Sequence, residues 1–219
     1  MACEELTYEL EAQLSENGYS PVCGVDEAGR GPLCGPVVAA AVILPEGLVI
    51  EGLNDSKKLT EKKREQLYDL ICSNAVAYSI AMASVEEINE TNILSATLLA
   101  MRRAIDGLSV KAGAALIDGN IVRDFQLPAY PVIHGDAISP SIAAASILAK
   151  VTRDRLCLEL DKEYPQYGIA KHKGYGTKDH RDALRKYGPA PIHRTLFIRF
   201  LNQPEDAPKA KMPKRKSST

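Results

Sequence analysis

Three short apolar runs in this sequence lead into acidic residues, and that pattern limits where the runs can lie. Residues 22–25 precede Asp26-Glu27, residues 114–117 precede Asp118, and Val132-Ile133 is followed closely by Asp136. Apolar runs of this length, bounded by Gly and Pro, read as β-strands. A carboxylate at the end of a buried strand resists desolvation and needs a compensating partner. Either Lys and Arg supply it, or a metal ion does. Four carboxylates converging without as many nearby cations would favour Mn²⁺ or Mg²⁺, which take oxygen ligands. Two such ions about 4 Å apart can activate a water and stabilise the leaving oxygen of a phosphodiester. Acidic strand ends also serve as caps and salt-bridge partners, so spacing alone leaves both readings open.

The rest of the chain says what kind of body these runs belong to. Its 219 residues suffice for one domain with a buried core. The formal net charge of −1 gives no sign of a nucleic-acid partner. Basic residues nevertheless gather at Lys57-Lys58, at 62–64, at 171–173 and at 209–216, and local patches can hold phosphates on a neutral chain. Such runs are also the ordinary make-up of a solvated face. The five cysteines include no Cys-x-x-Cys pair, so reduced thiols are expected rather than a disulfide framework or a structural zinc site. No apolar run approaches the length of a membrane span, and the acidic start lacks a secretory pattern. A cytoplasmic protein without membrane contact is the expectation.

Residues 4–17 read as a polar helix, broken at Gly18 and Pro21. Strands are expected at 22–25 and 37–44, then a helix over 61–72 capped by Thr60. A strand over 75–83 follows, and Ser84 with Glu87 forms a capping box for a short helix. Residues 92–105 carry apolar residues at helical spacing, 114–117 and 130–133 are short strands, and 139–162 is a long helix with a buried first half. An α/β or α+β fold is therefore expected, strands with flanking helices. A single domain over 1–202 is expected, helical from about 160 to 202, followed by a disordered basic tail over 203–219.

One resemblance turns these fragments into a specific expectation. The run Gly24-Val25-Asp26-Glu27-Ala28-Gly29-Arg30-Gly31-Pro32-Leu33-Cys34-Gly35-Pro36-Val37-Val38-Ala39-Ala40-Ala41 resembles the opening signature of the ribonuclease HII (type 2 ribonuclease H) family. Further blocks follow in that family's order: Asn54-Asp55-Ser56-Lys57-Lys58-Leu59, Ile117-Asp118-Gly119-Asn120, Gly135-Asp136, residues 141–154, and His172-Lys173-Gly174-Tyr175-Gly176-Thr177.

The resemblance implies a ribonuclease H-like fold, a mixed central β-sheet flanked by helices with a helical C-terminal region. It implies an endonuclease that cuts the RNA strand of RNA–DNA hybrids and nicks DNA duplexes 5′ to embedded ribonucleotides, leaving 3′-hydroxyl and 5′-phosphate ends. A role in ribonucleotide excision repair and a monomeric state go with it. Its metal-binding and catalytic carboxylates fall on Asp26, Glu27, Asp118 and Asp136, holding two ions, Mn²⁺ or Mg²⁺. Neighbouring residues of a regular strand face opposite ways, so the first strand must end or twist for Asp26 and Glu27 to share a site. Gly29, Arg30 and Gly31 match the turn that reads the ribose 2′-hydroxyl through main-chain groups. Tyr175 matches the tyrosine that packs on the next sugar and prefers a deoxyribose there. Ser56, Lys57 and Lys58 fall in the phosphate-contacting loop, with Lys173 as a neighbour. Lys150 and Asp154 lie on the long helix below the site, Asp154 read as a supporting group or an ion-pair partner of Arg153 or Arg155. Of the histidines, His134 and His172 lie in sequence near site residues, while His180 and His193 lack any partner at metal-ligand spacing.

Two other readings compete. Type 3 ribonuclease H shares the catalytic blocks, but little chain precedes residue 22 to form that class's N-terminal substrate-binding domain. A non-catalytic hybrid-binding module is the other, opposed by the full set of four carboxylates. No Walker loop, Rossmann glycine pattern or Gly-x-Ser-x-Gly elbow is present.

Overall fold

The computed structural model describes residues 6–54, 56 and 59–202. Lys57, Lys58 and the 203–219 tail lie outside the described residues. Five strands form one mixed sheet: β1 (Val22–Ala28), β2 (Val37–Ile43), β3 (Ala77–Ala83), β4 (Ala114–Asp118) and β5 (Ala129–Val132), in the order β3-β2-β1-β4-β5. β1 pairs antiparallel with β2 and β2 with β3, whereas β1–β4 and β4–β5 are parallel. The sheet is thus the mixed one expected.

Alternation along β2 explains why this strand is apolar throughout. Val37, Ala39, Ala41 and Ile43 face one cluster, which includes Ile88 of α3 (Val85–Glu90) and Ala100 and Ala104 of α4 (Ile93–Asp106). Ala40 and Val42 face the other, with Leu67 and Ile71 of α2 (Glu61–Asn74) and residues 144–151 of α5 (Pro140–Glu163). Helices cover both faces, so every β2 side chain is buried. Each buried Leu or Ile here contributes about 1.5–3 kcal/mol relative to exposure.

Helix starts follow local chemistry. Thr60 accepts from the Lys63 N–H at 3.3 Å, Ser84 and Glu87 complete a capping box, and Ser139 caps α5 ahead of Pro140. Where α5 crosses β1 there is no room for a side chain: a Cβ on Gly24 would sit 2.2 Å from the Ile142 nitrogen. At the N-terminus, Glu11 of α1 (Glu9–Glu16) accepts from the Ser139 and Ser141 hydroxyls, tying that helix to the start of α5.

The C-terminal part is helical as expected, with α6 (Ile169–His172), α7 (Lys178–Tyr187) and short 3₁₀ turns at Pro165–Tyr167 and Arg199–Asn202. Its apolar residues Tyr167, Ile169, Leu184 and Ile198 bury Cys157 of α5 together with Leu33 and Cys34. The turn leaving β1 is therefore held between the sheet and the C-terminal helices. Among the described residues no helix is long and apolar enough to cross a membrane.

Candidate active site

β1 runs on to Ala28 against β2, but its pairing with β4 stops at Val25–Ile117. The expectation that the strand ends at the acidic pair therefore holds on one edge only. Beyond that point the β4 side opens, and a cleft of about 220 Å³ lies there. Asp26, Glu27, Gly29, Arg30, Gly31, Ser56, Asp118 and Tyr175 line it, so eight expected site residues from four separate stretches meet.

Asp136 is placed differently. It is buried on a 3₁₀ turn, Gly135–Ala137, and is not among the residues lining the cleft. Its charge nonetheless acts on Asp26, and its neighbour Gly135 donates its N–H to Asp118 Oδ1 at 2.8 Å. The turn is thereby fixed to the end of β4.

Asp26 is 4% exposed, and burial pushes its carboxyl well above the usual carboxylate range. The charges of Glu27, Asp118 and Asp136 push the same way, against a hydrogen bond from the Glu27 N–H at 2.6 Å. Arg30 reaches Glu27 at 3.4 Å, but the Arg30 side chain is half exposed and solvent screens the pair. The donor set is all carboxylate oxygen and its members repel one another. That chemistry fits hard divalent cations rather than a soft or redox-active metal.

Lys150 also lines the cleft, and its ammonium is 2.6 Å from Asp154. Arg64 stands 3.8 Å from the other oxygen of Asp154. This corrects the expected partner: Arg155 pairs with Glu65, and Arg153 hydrogen-bonds main-chain carbonyls. The hydroxyl of Ser56 accepts from Ser146 on α5 at 2.7 Å, which fixes one point of the expected phosphate loop.

Sequence reading singled out neither Ser146 nor Arg153 as a site residue, yet both line the cleft. A signal existed. Ser146, Lys150 and Arg153 recur at i, i+4 and i+7 on a helix whose first half is apolar, which places three polar side chains on one face. Arg153 lies against the turn, since a Cβ on Gly29 would come 2.1 Å from its Nε. Gly29 has φ of +99°, so this position suits glycine for backbone conformation and for space.

His180 and His193, which have no partner at metal-ligand spacing in the sequence, meet in the buried core. Their Nε2 atoms are 3.2 Å apart, and the Cys34 sulfur lies near both. Distances across 13 residues of chain with an intervening turn are not readable from spacing.

Comparisons with known proteins identify the family and the fold. The family described as Ribonuclease HII matches residues 23–200. A ribonuclease HII of Desulfitobacterium hafniense is 56% identical over 187 residues, 85% of this chain and 72% of that protein. One of Acetivibrio thermocellus is 52% identical over 196 residues, covering 90% of this chain and 76% of its own. Among solved structures, the ribonuclease H2 of Pyrococcus horikoshii OT3 superposes with a TM-score of 0.70 at 27% identity, covering 82% of this chain and 96% of that one. With the matched region running from β1 to the last 3₁₀ turn, the chain belongs to the ribonuclease HII family.

Proposed function

We propose that this chain is an endonuclease that hydrolyses the RNA strand of RNA–DNA hybrids and nicks duplex DNA 5′ to embedded ribonucleotides. The observation that carries the reading is one cleft bringing Asp26, Glu27 and Asp118 together with Gly29-Arg30-Gly31 and Tyr175. Acid chemistry and sugar-reading surface share one space.

Asp26, Glu27, Asp118 and Asp136 would hold two divalent ions, Mn²⁺ or Mg²⁺, which supply a polarised water for in-line attack and charge stabilisation for the leaving 3′-oxygen. The chain's own part is to gather and orient. Asp26 contributes a carboxylate whose burial and like-charged neighbours make an added cation favourable. Gly135 keeps the Asp118 carboxylate in place through its N–H. Main-chain groups of Gly29-Arg30-Gly31 meet the 2′-hydroxyl, which both donates and accepts. The Tyr175 ring packs on the following sugar and disfavours a second hydroxyl there. Ser56, with Lys57 and Lys58 beside it in sequence, holds backbone phosphate. Products carry 3′-hydroxyl and 5′-phosphate ends, and no side-chain nucleophile takes part.

Residues 1–202 act as one catalytic domain and as a monomer, in the cytoplasm, where Cys23, Cys34, Cys72 and Cys157 stay free thiols. Ribonucleotide excision repair is the process this activity serves. The deciding experiment is nicking of a DNA duplex containing one ribonucleotide, with and without Mn²⁺ or Mg²⁺. Ion-dependent cleavage at the 5′ side is expected. Cutting of continuous hybrid alone would favour type 3 behaviour, and binding without cutting would favour a hybrid-binding module.

A further inference from the structure

Behind the 29–31 turn lies a polar cluster that the proposed chemistry does not use. Arg194 has no exposed surface. Its guanidinium donates to five main-chain carbonyls: Gly29 at 2.7 Å, Arg30 at 3.0 Å, Pro32 at 2.9 Å, Gly35 at 2.8 Å and Pro36 at 3.2 Å. Carbonyl dipoles surround this charge, and burial lowers the side chain's pKa to about 10.

Peptide planarity gives this clamp a consequence. In a trans peptide the N–H points opposite to the preceding carbonyl. With the Gly29 and Arg30 carbonyls turned onto Arg194, the N–H groups of Arg30 and Gly31 point away from it. Neither N–H donates to another group among the described residues, and both residues line the cleft.

The neighbouring residue reaches the opposite wall. The Tyr175 carbonyl can only accept, so His180 must donate to it from Nδ1, at 3.0 Å. His180 Nε2 is then an acceptor, and His193 must donate to it from its own Nε2, at 3.2 Å. His193 Nδ1 is left to accept the Ala190 N–H at 3.1 Å. One set of neutral tautomers serves the Tyr175 carbonyl, the ring-to-ring bond and the Ala190 N–H, and turns the Nδ1 lone pair toward the Ala190 carbonyl at 3.2 Å; burial holds the His193 imidazole down to about 4. Main-chain bonds lace the two walls together: Arg194 N–H to Leu33, Leu33 N–H to Gly174, and Gly35 N–H to Ile192. Across the slot, a Cβ on Gly31 would stand 3.3 Å from the Tyr175 ring.

We propose that His193-Arg194 is a positioning unit that sets the slot between the 29–31 main chain and Tyr175, and so sets selectivity for an RNA-to-DNA junction. The inference rests on the sugar-reading roles given above to that turn and that ring. Arg194 fixes one wall by orienting peptides, and His193 fixes the other through His180.

The test is the ratio of kcat/KM on a duplex with one embedded ribonucleotide to kcat/KM on a continuous hybrid. Arg194→Lys keeps the charge but loses the planar fork, and the ratio should fall by about 10-fold or more. His193→Ala should lower it about 3- to 10-fold, with partial recovery in His193→Gln, which restores a donor towards His180. Cys34→Ala should leave it unchanged, because the proton chain does not use the thiol. A merely structural role would depress both substrates and the melting temperature together and leave the ratio alone; that result in both Arg194→Lys and His193→Ala overturns the proposal. Should Arg194→Lys not fold, the His193 pair of variants decides. Stoichiometric zinc in purified protein, lost with the ratio in Cys34→Ala, would make Cys34, His180 and His193 a metal site and overturn the proton chain. Tyr175→Ala separates the levels. If it leaves the ratio intact, the sugar-reading role of the ring falls and this inference with it; if it shifts the ratio while the 193 and 194 variants do not, only this inference falls.

Discussion

Two buried polar regions lie back to back across the turn that leaves β1, and they solve the cost of burial in opposite ways. On the sheet side, Asp26 is crowded by Glu27, Asp118 and Asp136, and like charge adds to desolvation. On the helical side, Arg153, Arg194, His180 and His193 are also buried, but carbonyl oxygens and complementary ring nitrogens receive most of their protons, Nε of Arg153 being the exception. A divalent cation held as proposed above would relieve the acidic region. The basic region is compensated from within, mainly by the chain's own carbonyls. A site built to bind and a site built to hold differ in this way, although both are made of charged residues in low-dielectric surroundings.

The largest expected effect breaks the acidic side. Asp26→Asn or Asp136→Asn should lower cleavage by about 10³-fold or more while hybrid binding largely survives. Near-normal rates in either variant would remove that residue from the ligand set. The same substitutions sharpen the comparison in stability. Without divalent ions, Asp26→Asn relieves repulsion and should stabilise the protein by about 1 kcal/mol, raising the melting temperature by a few degrees.

Arg194→Met is the counterpart on the other side. It leaves five carbonyls without their donor in a buried place and should cost about 3–5 kcal/mol, read from denaturant unfolding. If both neutralisations moved stability in the same direction, the contrast between the two regions would be wrong. Tyr175→Ala comes next. It should reduce cleavage at a single embedded ribonucleotide about 10-fold while divalent-ion affinity, followed by calorimetry, stays within about twofold.

The smallest effect is a pH dependence. His193 is neutral in the fold, with its pKa lowered to about 4 from 6.5 by burial, against the carbonyl of Ala190 and with His180 opposing its charge. The unfolded chain takes up a proton first as pH falls. Stability should therefore be fully present above about 6.5 and be lost progressively down to about 4. His180 and Cys34 face this ring, and Tyr167 packs on it edge-on, so His193→Gln should flatten that part of the melting-temperature profile rather than abolish all acid sensitivity.

Much of the sheet could be read from the chain because its causes are local. Thr60 and Ser84 cap the helices expected of them, and the runs at 37–44, 114–117 and 139–162 became β2, β4 and α5 with ends moved by a residue or two. The limits of β1 were less legible. Its last residues, up to Ala28, are kept in register by β2 after β4 has turned away, and a partner strand's path is not written in the strand itself. Ser146 and Arg153 show the same limit on a helix, since their spacing gave a shared face but not what that face would meet.

By itself the sequence determined which residue types could do chemistry: acids at the ends of apolar runs, a glycine turn able to approach a sugar, and blocks in the order of one family. Tertiary structure alone decided that Asp136 is buried on a 3₁₀ turn whose charge acts on Asp26, that Asp154 answers Lys150 and Arg64, and that His180 meets His193. The reason is range. Caps, periodicity and turns act over a few residues, whereas Arg194 is placed against Gly29 by the packing of the whole C-terminal part on α5 and the β1 turn.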